Sequence, residues 1–447
     1  MSKLSFLILY KLGEPNQAPG FLQHLVFCLR NAFPDHLYLY HDVSLPLPEY
    51  ARTVPFDAIL LDVTFLAMRW APEDQFVALK SQYEFVRQHK AVKIALPQDE
   101  YDCHELLDEW LVDWRIDHVF TVMPSSWKLL FPKYYQTGSI HLGYTGYVDE
   151  SLLKVRQKSF DQRPFDIGYR ARKLPPYFGR LGETKWTIGR DVERVASLAG
   201  LKTNIVVGSS GTLNGNAWFR LINNCKFMLG ANSGSSLLDP RGHIQRSVRE
   251  YLAFHPEASF EEVEKNCFAG MDGKTALTAL SPRVIEAALL GSCQILVEGE
   301  YSGIIRPWVH YIPIRPDAAD FDLVLGAMRD RDLVGELVKN CRQAILGCEP
   351  LSAVFHAKRI IELVSARLDM SRSSAGMGRA QEVVERYNRE MPARYSRLWR
   401  EVRRDALVRW VHQHPRLSIL VKTASGLRKK LRRTAASRSL VPPDAPK

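Results

Sequence analysis

Short, almost continuously apolar runs alternate with amphipathic segments along the first 150 residues. Residues 4–10, 36–41, 58–63, 92–96 and 118–122 are the apolar runs. Between them, residues 20–32, 73–89 and 105–114 repeat apolar positions at three- and four-residue spacing, the helical period. Strands apolar on both faces and separated by such helices predict a parallel sheet covered on both sides. A second alternating set follows Pro164. Strands are expected at 165–169, 202–207, 227–230 and 294–297, and helices at 191–199, 218–225 and 261–268. Residues 332–346 and 350–367 read as closing helices, 371–378 as a linker rich in Ser and Gly, and 382–411 as a charged helical region broken at Pro392. The expected architecture is two α/β, Rossmann-like doubly wound domains facing a cleft, over 1–155 and 156–368. A linker and basic helical tail follow over 369–447.

Charge changes the picture only at the end of the chain. Residues 401–447 hold twelve Lys and Arg against three Asp and Glu, a net +9 out of +11 for the whole chain. The body is thus nearly neutral, and the tail, with Leu407, Val408 and Trp410 beside arginines, reads as a basic amphipathic element suited to an anionic membrane surface. A solvated tail is the plainer alternative. Nucleic acid is disfavoured as a partner, because no RNA- or DNA-binding motif accompanies the charge. Seven cysteines without Cys-x-x-Cys spacing fit neither a disulfide framework nor a zinc site and point to a reducing, cytoplasmic setting. The apolar run at 4–10 is too short for a signal peptide, and no stretch approaches the ~18 apolar residues of a membrane span. The expected location is cytoplasmic or peripheral on the inner membrane face.

The chemistry concentrates between Leu280 and Pro316. Ser281-Pro282-Arg283 places Pro where a helix starts. The helix carries one carboxylate, Glu286, and stops at Gly291, which tolerates a left-handed cap. The strand Gln294-Ile-Leu-Val297 then releases Glu298, Glu300, Tyr301, Ser302 and Gly303 at its carboxyl end, where doubly wound sheets bind ligands.

This block resembles the nucleotide-sugar domain of the two-Rossmann-domain (GT-B) glycosyltransferases, of the bacterial kind that builds cell-surface polysaccharides. Retaining members carry a motif of roughly E-x7-E-A-x-x-x-G. Glu286, Ala287 and Gly291 match its second half, and Thr278 stands where the first glutamate belongs. The resemblance spans about residues 1–368. It implies transfer of a sugar from a nucleotide-sugar to a glycan or lipid-linked acceptor, with no metal and no further cofactor. It also implies ribose binding by Glu286, and leaves the retaining or inverting outcome open.

Departure of a nucleoside diphosphate develops negative charge that Arg, Lys and backbone N–H groups can meet. Arg170 and Arg172 follow the first strand of the second domain, Lys185 is expected in the loop after them, and Arg283 sits beside the Glu286 helix. Asn232-Ser233-Gly234 follows the strand at 227–230 as a candidate anion-binding turn. Glu298 or Glu300 stands in for the missing first glutamate, or is a solvated loop acid. In the first domain Asp99 and Glu100 follow the strand at 92–96, as a general base for an acceptor hydroxyl or as helix-start acids. The glycine loop at 13–20 and the loop at 141–146 are expected cleft walls. Asp330-Arg331-Asp332 reads as a helix start rather than a metal site. Two other activities fit the same fold: a nucleotide-sugar 2-epimerase and a non-catalytic binding module.

Overall fold

The computed structural model describes residues 3–14, 18, 20–208, 213, 215–367 and 374–413. The chain divides into a compact unit over Met1–Val384 and a second unit starting at Glu385.

The first half is a six-stranded sheet of β1 (Ser5–Tyr10), β2 (Leu37–Asp42), β3 (Ala58–Leu61), β4 (Val92–Ala95), β5 (His118–Thr121) and β6 (Ser139–Leu142), in the order β2-β1-β3-β4-β5-β6. Every pairing is parallel. Strands β1, β3, β4 and β5 are buried along almost their whole length, which explains why their sequences lack alternation.

The second half has five strands in the order β13-β12-β9-β7-β8: β7 (Phe165–Ala171), β8 (Thr203–Val207), β9 (Cys225–Gly230), β12 (Cys293–Val297) and β13 (Ile312–Ile314). They too pair in parallel. The expectation of two doubly wound parallel halves is borne out. A small antiparallel ribbon, β10 (Ser233–Ser235) with β11 (Leu277–Ala279), lies beside this sheet. Alternation along β7 sends Ile167, Tyr169 and Ala171 into the core shared with Val192 and Ile295, and leaves Arg170 on the opposite face.

The halves are tied together at several places, two of which involve a helix and a strand-like bridge. The helix Ala353–Ala366, expected to close the second half, packs Ala357, Ile360, Ile361 and Val364 against Phe6, Ile8, Leu60 and Ile94 of the first sheet. Asp102 and Asp239 form an isolated bridge, with Cys103 N–H donating to the Asp239 carbonyl at 2.7 Å and Asp239 N–H to that of Tyr101 at 3.2 Å.

Several local expectations change. The helix expected at 191–199 spans Gly179–Leu198, so Lys185 lies on a helix and not in a loop. Asn232-Ser233-Gly234 leads into strand β10 instead of forming an open turn. The helix Ser374–Gln413 begins inside the expected linker and continues through Pro392. Residues 414–447, which carry most of the basic tail, lie outside the described residues. Asp330 does cap a helix, accepting from the Leu333 N–H at 3.0 Å.

Candidate functional site

A 410 Å³ cavity opens at the carboxyl ends of β7 and β9, with Gly20 and Phe21 of the first half on its other wall. In this sheet β8 leaves β7 on one side and β9 joins on the other, so the crevice between β7 and β9 is the topological switch point where open α/β sheets take ligands. Topology thus places the cavity independently of any motif.

Glu286 stands on the helix Pro282–Leu289, which Ser281 caps by accepting from the Arg283 N–H at 3.4 Å. Gly291, with φ +67°, ends the element as its sequence predicts. The Glu286 side chain lines the cavity, and the Trp218 indole donates to its Oε2 at 2.7 Å. Its Oε1 accepts from no described residue. Burial pushes the carboxyl up to about 7, opposed by the Trp218 bond and by the charge of Arg283. The result is an acid with one oxygen fixed by Trp218 and one open, a geometry suited to accepting a hydroxyl.

Four cations line the same cavity: Arg170, Arg172, Lys185 and Arg283. Glu286 is the acid among its lining residues. Arg283 donates to the Arg170 carbonyl and lies 5.2 Å over the Trp218 ring, which fixes it beside Glu286. Arg170 is held differently. Its guanidinium donates to the Asn204 carbonyl and side-chain oxygen and to its own Tyr169 carbonyl, each at 2.7 Å, leaving only Nε without a partner. Arg172 is exposed at the cavity mouth. Lys185 projects from the Gly179–Leu198 helix, and no described residue bonds its ammonium. Burial pulls its pKa down to about 8, with Arg283 adding to the fall and Asp99 opposing it. A half-buried ammonium that no described residue bonds, set among arginines, is an arrangement in search of an anion.

Asp99 reaches this field from the first half. It is exposed at the end of β4, in a left-handed backbone at φ 48°, and accepts the Tyr101 hydroxyl at 2.6 Å. Glu100 goes the other way. It is fully buried, with Oε1 accepting from Thr121 Oγ1 at 2.8 Å and Val122 N–H at 2.9 Å, so it is removed from any acceptor.

The remaining expected residues divide. Ser233 lines the cavity, but Asn232 donates to the Glu298 carbonyl at 3.0 Å and serves as a staple. Gly234 is structural: at φ 145° it lies so close to Leu277 that a Cβ would overlap the carbonyl oxygen. Asn232 and Glu298 border a separate 250 Å³ hollow. Glu300 is exposed away from the lining residues of either cavity. Tyr301 is buried with its hydroxyl on the Val297 carbonyl at 2.5 Å, and Ser302 Oγ accepts from the Leu280 N–H at 3.2 Å. The 301–303 turn therefore supports the β11–helix junction and Gly303 does not line the cavity. Of the expected cleft walls, Gly20 lines the cavity and Gly146 lies against Pro282. Trp218 was not singled out from sequence as a site residue. Among the described residues no group of three or more His, Cys, Asp or Glu is arranged to hold a metal ion.

No protein-family model matches the chain, and no curated protein matches it. Among solved structures, it is similar to glycosyltransferases. One is an alpha-glucosyltransferase in complex with UDP and a 13-mer DNA containing an HMU base, at 9% identity and TM-score 0.48, over 81% of this chain and 100% of that one. A glycosyltransferase from Rickettsia africae ESF-5 gives 9% identity and TM-score 0.47 over 83% and 100%. Anabaena Alr3699/HepE in complex with UDP-glucose gives 11% and 0.47 over 81% and 100%.

Proposed function

We propose that the protein is a glycosyltransferase that holds a nucleotide-sugar in the cavity at the β7/β9 switch point. The observation that carries this reading is the pairing, in one cavity, of a carboxylate with an open oxygen and a cluster of cations. Glu286 accepts ribose hydroxyls through Oε1. Arg172, Arg283 and Lys185 meet the charge that develops on the departing diphosphate, where pre-positioned cations stabilise a transition state without reorganising. Arg170 fixes the wall that carries them. Asp99, offered from the first half, takes the proton of the acceptor hydroxyl, while Glu100 only anchors the loop. The acceptor is a glycan or lipid-linked sugar of a surface polysaccharide, approached from the first half of the chain.

The test is release of nucleotide from UDP-, GDP-, ADP-, dTDP- and CMP-sugars, with oligosaccharide acceptors and no added metal. Release from one donor class, lost in Lys185→Met, supports the proposal. No release from any donor contradicts it.

A further inference from the structure

The helix Ser374–Gln413 ends in a stretch that packing among the described residues does not explain. Every residue from 401 to 410 is exposed. Within it Val402 is 42% and Trp410 48% exposed, a high exposure for large apolar groups on a helix. A helix without tertiary cover is marginal in water, since most helical stability comes from burying an amphipathic face.

The arrangement is ordered rather than scattered. Leu398, Trp399, Val402, Ala406 and Trp410 recur at three- and four-residue spacing and so share one side of the helix. Arg394 and Arg403 flank that stripe, Arg409 falls within it, and Arg397, Arg400 and Arg404 cover the far side. Over 394–409 six arginines face two acids, Glu401 and Asp405, and Arg404 lies 3.4 Å from Asp405. The sequence of 414–447 adds nine Lys and Arg against one Asp.

We propose that this stretch is an interfacial docking element for an anionic lipid surface. The apolar stripe sinks into the boundary between headgroups and acyl chains, while flanking arginines extend their heads to lipid phosphates. The positive charge of the stretch complements an anionic leaflet and extends its attraction through the following sequence. Nucleic acid would use the arginines and could stack on the tryptophans. It has no use for Leu398, Val402 and Ala406, which continue the same stripe. The inference does not depend on what the cavity binds.

The test uses the full chain, sedimented with vesicles of phosphatidylcholine alone or with about one third phosphatidylglycerol. Binding to the anionic vesicles only is expected. The double variant Val402→Ser, Trp410→Ser keeps every charge and should weaken that binding about tenfold, with the thermal transition of the protein unchanged. Equal binding by the variant would reduce the effect to charge alone and overturn the proposal. So would absence of vesicle binding, or displacement of the protein from vesicles by an RNA homopolymer.

Discussion

Trp218 donates its indole N–H to Oε2 of Glu286 at 2.7 Å, fixing the carboxylate so that Oε1 is its remaining acceptor. The two residues come from different helices, Asn216–Asn224 just before β9 in sequence and Pro282–Leu289 just before β12. Because burial raises Glu286 to about 7 and this bond pulls it down, Trp218 helps keep the acid ionised near neutrality. Trp218→Phe preserves a ring beneath Arg283 but removes the donor. Nucleotide affinity at pH 7.5 should fall about tenfold by isothermal titration, the scale of one hydrogen bond to a charged group. Unchanged affinity would reduce the indole to packing.

The pKa values of Lys185 and Glu286 set a pH window for ligand binding. Burial lowers Lys185 to about 8, so above that pH the cavity would lose a charge that the proposed diphosphate needs. Below about 7 Glu286 takes up a proton and accepts hydroxyls less well. Affinity should peak between these values, and Lys185→Met should flatten the alkaline limb while sparing the acid one. For the unliganded protein the sign differs. A lowered lysine pKa costs stability below about 8, and the cost disappears as pH rises from about 8 to 10.5.

Glu100 has its own pH signature. Burial raises it from 4.5 to about 7, so the folded state holds its proton more tightly than the unfolded state. Its contribution to stability is present below about 4.5 and is lost as pH rises to about 7. Glu100→Gln should flatten that part of the stability profile, followed by urea unfolding at several pH values. An unaltered profile would mean that Glu100 does not titrate there.

The sequence made the two sheets legible because central parallel strands are buried on both faces and therefore read as apolar runs. Strands β10, β11 and β13 have three residues each, too few to show a period. The Gly179–Leu198 helix was hidden by its glycines. Gly182 and Gly189 lower helix propensity, yet each makes room for a neighbour: a Cβ would crowd Phe178 at the first, and Val207 and Tyr169 at the second. Tertiary packing outweighed local preference, and that moved Lys185 from a loop onto the cavity wall. Glu286 was legible because its neighbours form a motif. The opposite fates of Asp99 and Glu100 were not, because the partners that bury Glu100, Thr121 and Val122, lie on the next strand. Trp218 was equally hidden, since its partner is 68 residues away.

Gly234 tests the account of the β10–β11 ribbon. Its φ of 145° and the closeness of Leu277 exclude a side chain. Gly234→Ala should cost about 2–4 kcal/mol, combining backbone strain and displaced ribbon pairing. Urea unfolding reads the loss directly. A change below ~0.5 kcal/mol would show that the ribbon yields easily.

The most direct measurement is a metal-free thermal-shift comparison of the protein and Glu286→Gln against UDP, GDP, ADP, dTDP and CMP. At about a hundred times its dissociation constant, a ligand stabilises a single site by ~2.7 kcal/mol, a shift easily seen. The account predicts that one nucleotide raises the transition of the protein, and that Glu286→Gln melts as the unliganded protein does but loses most of the shift. An equal shift in both proteins, or none with any nucleotide, would contradict a nucleotide-sugar site built around Glu286.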